Sequence, residues 1–203
     1  MNPHFIFNCV NGIQYYVLAN KTDEVLVYLS YFSKVVRESL ANATLRLIPL
    51  EQEIDFLHSY LKQEQMRFPD KFDYDIRSFK GEEIGFVQLP PMLVQPFAEN
   101  AIRHGFMNLK KKGRLSLFFE KAGEDVLKCT IADNGIGRDK ASLQKGQPQD
   151  NNRPHSGTIT ETRIRLFNTT GSPDKYKIVY TDLSKNGKPC GLQVELYLPM
   201  EIG

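Results

Sequence analysis

The sequence predicts an α+β protein in which a helical segment, residues 1–69, precedes a domain of mixed strands and helices, residues 70–203. Three observations carry that division. Apolar residues recur at helical spacing from Pro3 to Phe68, and the period drops to two at Phe72. A stretch nearly without apolar side chains, Arg138 to Ser156, then interrupts the second part as a long polar loop.

The first helix, Pro3 to Ala19, carries Ile6, Val10, Ile13 and Val17 in alternating steps of four and three, an a/d seam. A second follows Asp23 and places Val25, Leu29, Phe32, Val36, Leu40 and Ala43 on one stripe, which calls for another helix as neighbour. Pro49 disfavours helix at Ile48 and starts a third helix that runs to about Phe68, where Pro69 ends it. In that helix Ile54, Leu57 and Leu61 repeat the seam, and Glu51, Glu53, Lys62 and Glu64 are expected to face water. Phe72, Tyr74 and Ile76 alternate with Asp73, Asp75 and Arg77 as a strand. Phe86 to Pro90 is an extended approach to a helix from Pro91 that ends before Gly105. Leu115, Leu117 and Phe119 mark the next strand, and Leu127, Cys129 and Ile131 the one after it. Leu192, Val194, Leu196 and Leu198 form the last, entered through the turn Lys185-Asn186-Gly187-Lys188-Pro189 of a hairpin.

Composition narrows the class. Hydrophobic residues at 41% and charged residues at 25% exclude disordered and fibrous chains, and 203 residues suffice for one sizeable core or two small ones. A net charge of +2 is too weak to point to direct contact with nucleic acid, and the run Lys110, Lys111, Lys112 and Arg114 reads as a solvated turn before a strand. Cys9, Cys129 and Cys190 are odd in number and far apart, so they build neither a disulfide framework nor a zinc site, and a reducing, cytoplasmic setting follows. No apolar stretch approaches the ~20 residues that span a bilayer, and nothing resembles a signal peptide. The piece is therefore expected to be soluble. Because it opens directly on Met1-Asn2-Pro3-His4-Phe5, it is expected to belong to a longer protein.

Two segments carry chemistry. On the helix from Pro91, a rotation of 100° per residue gathers Glu99, Asn100, Arg103 and His104 within an arc of about 140°, opposite Val94, Phe97, Ala98, Ala101 and Ile102. An isolated helix with such a face is usually just solvated and ion-paired. The second segment, Asp133-Asn134-Gly135-Ile136-Gly137, follows a strand directly. Its alternate glycines permit positive φ and close approach of backbone to a ligand, and a strand-end aspartate can accept a hydrogen bond from an exocyclic amine such as that of adenine. Taken alone it is an ordinary tight turn. Past the polar loop, Thr158 and Thr160 can offer hydroxyls to phosphate at a helix start, or Ile159, Arg163 and Leu166 simply dock that helix on the sheet. His58 faces neither cluster, and His155 sits at the end of the polar loop.

Gln95-Pro96-Phe97-Ala98-Glu99-Asn100-Ala101-Ile102-Arg103-His104-Gly105 resembles the N box of the GHKL superfamily of gyrase, heat-shock chaperones, histidine kinases and MutL, and Asp133 to Gly137 resembles its first G box. Asn2-Pro3-His4-Phe5-Ile6-Phe7-Asn8 resembles the NPHF(L/I)FN signature of LytS-like sensor histidine kinases. Pro49-Leu50-Glu51-Gln52-Glu53 and Leu89-Pro90-Pro91-Met92 resemble further segments of that family, so the likeness covers nearly the whole chain. The resemblance implies a GHKL, Bergerat-type α/β sandwich with a mixed sheet and helices on one face, preceded by a phosphoacceptor segment that forms a homodimer. It implies that His4 is the phosphoacceptor; a neutral imidazole, with an unperturbed pKa of ~6.5, is a competent nucleophile. It implies that Asn100 holds Mg²⁺ against the phosphates of ATP, that Asp133 binds the adenine amino group beside Gly135 and Gly137, and that Arg103 and His104 line the phosphate side. Magnesium prefers oxygen ligands and keeps waters, so few protein ligands are needed. Glu99 would orient an attacking group. The second glycine box departs from the family pattern: in His155 to Leu166 only Gly157 and the Arg165-Leu166 end match, with Thr158 beside the glycine. The polar loop, residues 138–156, would be the ATP lid.

The function so implied is transfer of the ATP γ-phosphate to His4 and then to an aspartate of a response regulator, in the family often one with a LytTR DNA-binding domain. Positioning and charge neutralisation suffice for such chemistry. The same resemblance implies anchorage of the full-length protein in the bacterial inner membrane through upstream segments. Two rivals remain: a GHKL ATPase in which Glu99 activates water without any phosphohistidine, and a non-catalytic nucleotide-binding, dimerising signalling module, which the altered second glycine box motivates.

Overall fold

A computed structural model of the chain describes residues 3–79, 82–137, 156–168, 175–185 and 187–202. The first third folds as three helices, α1 (Pro3–Leu18), α2 (Thr22–Asn42) and α3 (Leu50–Arg67). Asn20, in the left-handed region at φ 53, turns the chain between α1 and α2, and Asp23 and Glu24 favour the start of α2 by facing its positive dipole end.

The helices pack, but not on the expected seams. In α1 the inward stripe is Cys9, Gly12 and Tyr16, while Val10 and Val17 are exposed. In α2 it is Tyr28, Val35, Ser39 and Asn42, and Leu40 is 64% exposed. Gly12 sets this register: a Cβ there would lie 2.6 Å from the Tyr28 hydroxyl oxygen, so the bare backbone makes the room that the tyrosine ring fills. Tyr16 then donates its hydroxyl to the carbonyl of Met66 at 2.5 Å and ties α1 to α3. Of the seam residues read from the sequence, Val10, Val17 and Leu40 face outward beside Phe7, Leu26 and Val27, which lay outside that seam, while Ile13, Val25, Leu29, Phe32 and Val36 are half-buried.

Pro49 does not open α3. It belongs with Ile48 to a short strand, β1 (Ile48–Pro49), and its ψ of 142° caps the helix from outside. In α3, Leu57 and Leu61 are buried as expected, but Glu53 and Glu64, expected to face water, are buried too. The reason is that α3 is covered on more than one side. Phe56, Leu57, Tyr60 and Leu61 join one continuous core with the strands that follow, while α1 and α2 lie against the rest of the helix. Glu64 remains compatible with burial because Arg67 pairs with it at 3.0 Å.

That core lies on a five-stranded mixed sheet. Its strands are β2 (Phe72–Ser78), β4 (Gly113–Lys121), β5 (Val126–Asp133), β6 (Lys177–Lys185) and β7 (Lys188–Pro199). Their order is β2-β4-β5-β7-β6, with β2 parallel to β4 and every other pair antiparallel. A small sheet joins β1, β3 (Val87–Leu89) and β8 (Glu201–Ile202). Period-two alternation has the expected effect: Leu115, Leu117, Phe119, Cys129, Ile131, Leu196 and Leu198 are buried under helices, and Ser116, Phe118, Thr130, Glu195 and Tyr197 stand on the opposite, wetter face. The hairpin between β6 and β7 turns at Gly187, φ 70, as the turn sequence required.

Two helices on the core face bear on function. The first begins at Gln95, four residues later than expected, because Met92 takes a left-handed φ of 60 and breaks any helix from Pro91. This helix, α4 (Gln95–Asn100), runs on into a wide π-helical turn, Ala101–Phe106. The second, α5 (Ser156–Asn168), docks through Thr160 and Ile164, and Leu166, expected to dock, is exposed. The expected lid falls almost wholly on residues 138–155, outside those described. No helix among the described residues is long and apolar enough to cross a membrane.

Candidate functional site

The site is built around Asp133, the last residue of β5. Register places it between Leu115 of β4 and Leu192 of β7, so both of its neighbours are paired strands. Its side chain is only 9% exposed, and Oδ1 accepts the Gly135 N–H at 2.7 Å. Burial pushes this carboxyl above the ordinary carboxylate range, and the N–H groups of Gly135 and Leu192 pull the other way. Asn134 fastens the bend to β4: its N–H donates to the Arg114 carbonyl at 3.2 Å, and its Oδ1 accepts the Arg114 N–H at 2.7 Å.

The helix that carries Glu99, Asn100, Arg103 and His104 ends against this bend. The Ile136 N–H donates to the Gly105 carbonyl at 3.3 Å, and a Cβ on Gly135 would lie 2.6 Å from the Gly105 Cα. A Cβ on Gly105 would meet Asp133 Oδ1 at 3.4 Å. The two motifs, about thirty positions apart in sequence, therefore touch backbone to backbone, as glycine alone allows. The π turn shapes the approach, since an i→i+5 turn rotates less per residue than α-helical continuation and so changes the side on which Gly105 falls; such turns recur at functional sites. Of the two glycines expected to need positive φ, only Gly137 shows it, at 77°; Gly135 is required for proximity instead.

Glu99 and Arg103 pair at 2.9 Å and are half-buried, with the Glu64 and Arg67 pair close enough to influence them electrostatically. Asn100 is half-buried and His104 exposed. Thr160, read as a possible phosphate donor, is buried and serves packing. Gly157 lies in the first turn of α5 with Thr158 after it, and His4 lies in the first turn of α1; their side chains are outside the described set, as is His155. His58 is exposed and sits 3.4 Å from the Tyr74 hydroxyl. Among the described residues no group of three or more His, Cys, Asp or Glu forms a metal cluster.

Two residues of the site were not read as such from the sequence, although Glu53 lies in the family-like segment Pro49 to Glu53. Gly191 lets β7 cross the bend: at φ 148, a Cβ on it would fall 1.9 Å from the Asp133 carbonyl oxygen. Glu53 of α3 accepts the Met92 N–H at 3.2 Å, in the turn that leads into α4.

Comparison with known proteins adds an independent line. The family described as Histidine kinase matches residues 1–72. Sensor protein LytS of Bacillus cereus is 29% identical over 211 residues, covering 100% of this chain and 33% of the relative. That of Streptococcus mutans is 35% identical over 186 residues, covering 90% and 31%. The sensor histidine kinase/phosphatase LytS of Staphylococcus aureus is 34% identical over 147 residues, covering 70% and 24%. The chain belongs to the LytS-like sensor histidine kinases. It spans about a third, or less, of the length of the curated relatives it matches. The architecture of this LytS-like chain also recurs in the histidine kinase domain of the blue-light activated histidine kinase of Erythrobacter litoralis, with a TM-score of 0.50 and 16% identity, covering 98% of this chain and 88% of that one. At that identity the likeness is one of fold. The mixed sheet with helices on one face is thus the histidine kinase catalytic fold, preceded by its helical segment.

Proposed function

We propose that the chain is the cytoplasmic kinase core of a two-component sensor, moving the γ-phosphoryl group of ATP to His4 and from there to an aspartate of a response regulator. The observation that carries the reading is the contact of Gly105 with the Asp133-to-Gly135 bend, which sets the Asn100 helix and a buried carboxylate at one place. The residues present fit a magnesium nucleotide. Asp133 Oδ1 faces a cradle that any Cβ at Gly135 would fill, and the carboxylate suits an exocyclic amine, whose N–H donors match its acceptor oxygens. Asn100 would give its amide oxygen to Mg²⁺, and Arg103, His104 and Thr158 would line the phosphates, with Gly137 and Gly157 allowing backbone to approach. When bound, Mg²⁺·ATP supplies the transferable phosphoryl group and the neutralising charge.

In this reading the protein's work is placement. A neutral His4 imidazole would attack phosphorus in line; an N–P bond forms as the bond to the ADP oxygen breaks, and the nitrogen-borne phosphoryl group later passes to a carboxylate oxygen of the regulator. Glu99 already holds Arg103, which fits a role in aiming the guanidinium at phosphate more simply than activation of water. The outward apolar stripe of α1 and α2 supports pairing with a second copy, because helices with a heptad seam bury it by association. Full-length anchorage in a membrane and a LytTR-type regulator remain part of the proposal.

Labelled ATP tests it. A protein extended upstream of His4 is expected to take up acid-labile, base-stable label that His4→Ala abolishes while nucleotide binding persists. Turnover retained in His4→Ala without label would establish an ATPase, and absence of Mg²⁺·ATP binding in the parent a non-catalytic module.

A further inference from the structure

Glu53 is a charged residue at 0% exposure, and its situation is unusual. Oε2 accepts the N–H of Met92 at 3.2 Å, and the Val94 N–H acts on the carboxylate in the same sense. Oε1 is buried without a hydrogen-bond partner. Met92 is a non-glycine residue at φ 60, a conformation that costs energy and persists only where its surroundings dictate it. The carboxylate therefore grips the strained residue of the Pro90–Val94 turn. From that turn springs α4, which has no side-chain cap of its own and carries Asn100. Charged and titratable groups face Glu53 from two further elements: Arg163 of α5 and the Cys129 thiol of β5. Arg163 is half-buried, and α5 is the helix that follows residues 138–155.

One side chain of the helical segment thus bears on both helices that border the site. A purely structural carboxylate would be expected to be fully bonded, since an ion buried with an unmet oxygen is costly. Retention of a charge at this junction fits a switchable contact. We propose that Glu53 is a positioning residue for the nucleotide site, a clamp through which displacement of α3 moves the Met92 turn, and with it Asn100, relative to the Asp133 bend. The proposal rests on the nucleotide reading above for its consequence, and on geometry alone for the clamp itself.

The sign of its pH dependence follows from the chemistry. Burial raises the Glu53 carboxyl to about 7, so near neutral pH both forms are present. Because enclosure against the Met92 turn outweighs the pull of the Met92 N–H and of Arg163 and raises the carboxyl, that geometry favours the protonated form, so the clamp loosens as pH rises through that value.

Two measurements test this on the chain with the helical segment intact. The first is amide hydrogen exchange over residues 92–106 in the nucleotide-free protein, corrected for intrinsic rates, at about pH 6 and about pH 8. The second is calorimetric affinity for a non-hydrolysable ATP analogue with Mg²⁺ at the same two values. The parent is expected to lose protection and affinity at the higher pH. Glu53→Gln, which keeps the shape and one acceptor and stays neutral, should abolish that loss and bind about tenfold more tightly than the parent at the higher pH, while staying near the parent at the lower one. Arg163→Met, a surface-side test that spares the buried carboxyl, should shift the parent's transition to higher pH. A Glu53→Gln protein with parental protection and affinity at both pH values overturns the clamp. If the parent binds no nucleotide, the nucleotide reading falls, and exchange alone then decides Glu53: an unchanged profile in Glu53→Gln rejects the proposal, a flattened one upholds it.

Discussion

Replacing Gly191 by alanine is the most incisive perturbation of the site, because no ligand and no catalytic group is touched. The added Cβ would stand 1.9 Å from the Asp133 carbonyl oxygen, and real Cβ contacts stay beyond about 3 Å, so roughly 1 Å of separation must come from somewhere. The obstacle is backbone on both sides: the Asp133 carbonyl carbon lies 2.9 Å and the Asn134 Cα 3.0 Å from the same point, and no side chain can rotate away. The φ of 148 adds a conformational penalty for any residue with a Cβ. Overpacking at about 1–3 kcal/mol plus a backbone term of about 1–2 kcal/mol puts the cost near 2–5 kcal/mol. The strand pair Asp133 with Leu192 is the part that must open, so the bend is expected to move away from Gly105 and take the carboxylate with it. Urea unfolding measures the first consequence and titration with an ATP analogue and Mg²⁺ the second. An alanine variant within about 0.5 kcal/mol of the parent and with unchanged affinity would refute the reasoning.

Other expectations are as concrete. Between about pH 4.5 and 7 the folded state holds a proton on Glu53 that the unfolded chain releases, so stability falls as pH rises through that window; the difference corresponds to about 3 kcal/mol, and Glu53→Gln should remove that slope from urea midpoints measured on either side of it. Asp133→Asn should abolish ATP-analogue binding while leaving unfolding within about 1 kcal/mol, because the amide oxygen can still accept the Gly135 N–H; wild-type affinity should also drop on acidification at a pH above that of an ordinary aspartate, since burial raises this carboxyl and only the ionised form accepts fully. Gly12→Ala should destabilise the helical segment by about 1–3 kcal/mol, seen as lower thermal stability of that segment, because its Cβ meets the Tyr28 ring at 2.6–2.8 Å.

Strands were legible because alternation is a local property: Leu115 to Phe119 and Leu127 to Ile131 announce both the strand and its buried face. The motifs of the candidate site stand out in the sequence, and the structure brings Gly105 and the Asp133 bend together without the sequence having said how. Helical faces were harder. Val10, Val17 and Leu40 obey a heptad, but within one chain Gly12 and Tyr28 decide which side turns in, so the periodic stripe is left outside. Glu53 and Glu64 look like solvated residues of an amphipathic helix, and only the tertiary enclosure of α3 buries them. The start of α4 was missed because a left-handed methionine has no signature in composition, and Gly191 because its need arises from the neighbouring strand β5, far away in sequence.

Parallel pairing of β2 with β4 has a kinetic corollary. Strands that run the same way cannot be joined by a tight reversal, so the connection that bears α4 must cross over the sheet before Phe72 can meet Gly113. Among the described residues β2 is also one of the two edge strands, paired with β4 alone. Detachment of this margin would therefore slacken the loop of chain holding the Asn100 helix, so ligand-binding competence should be acquired late in folding and surrendered early in partial unfolding, while the antiparallel heart of the sheet endures.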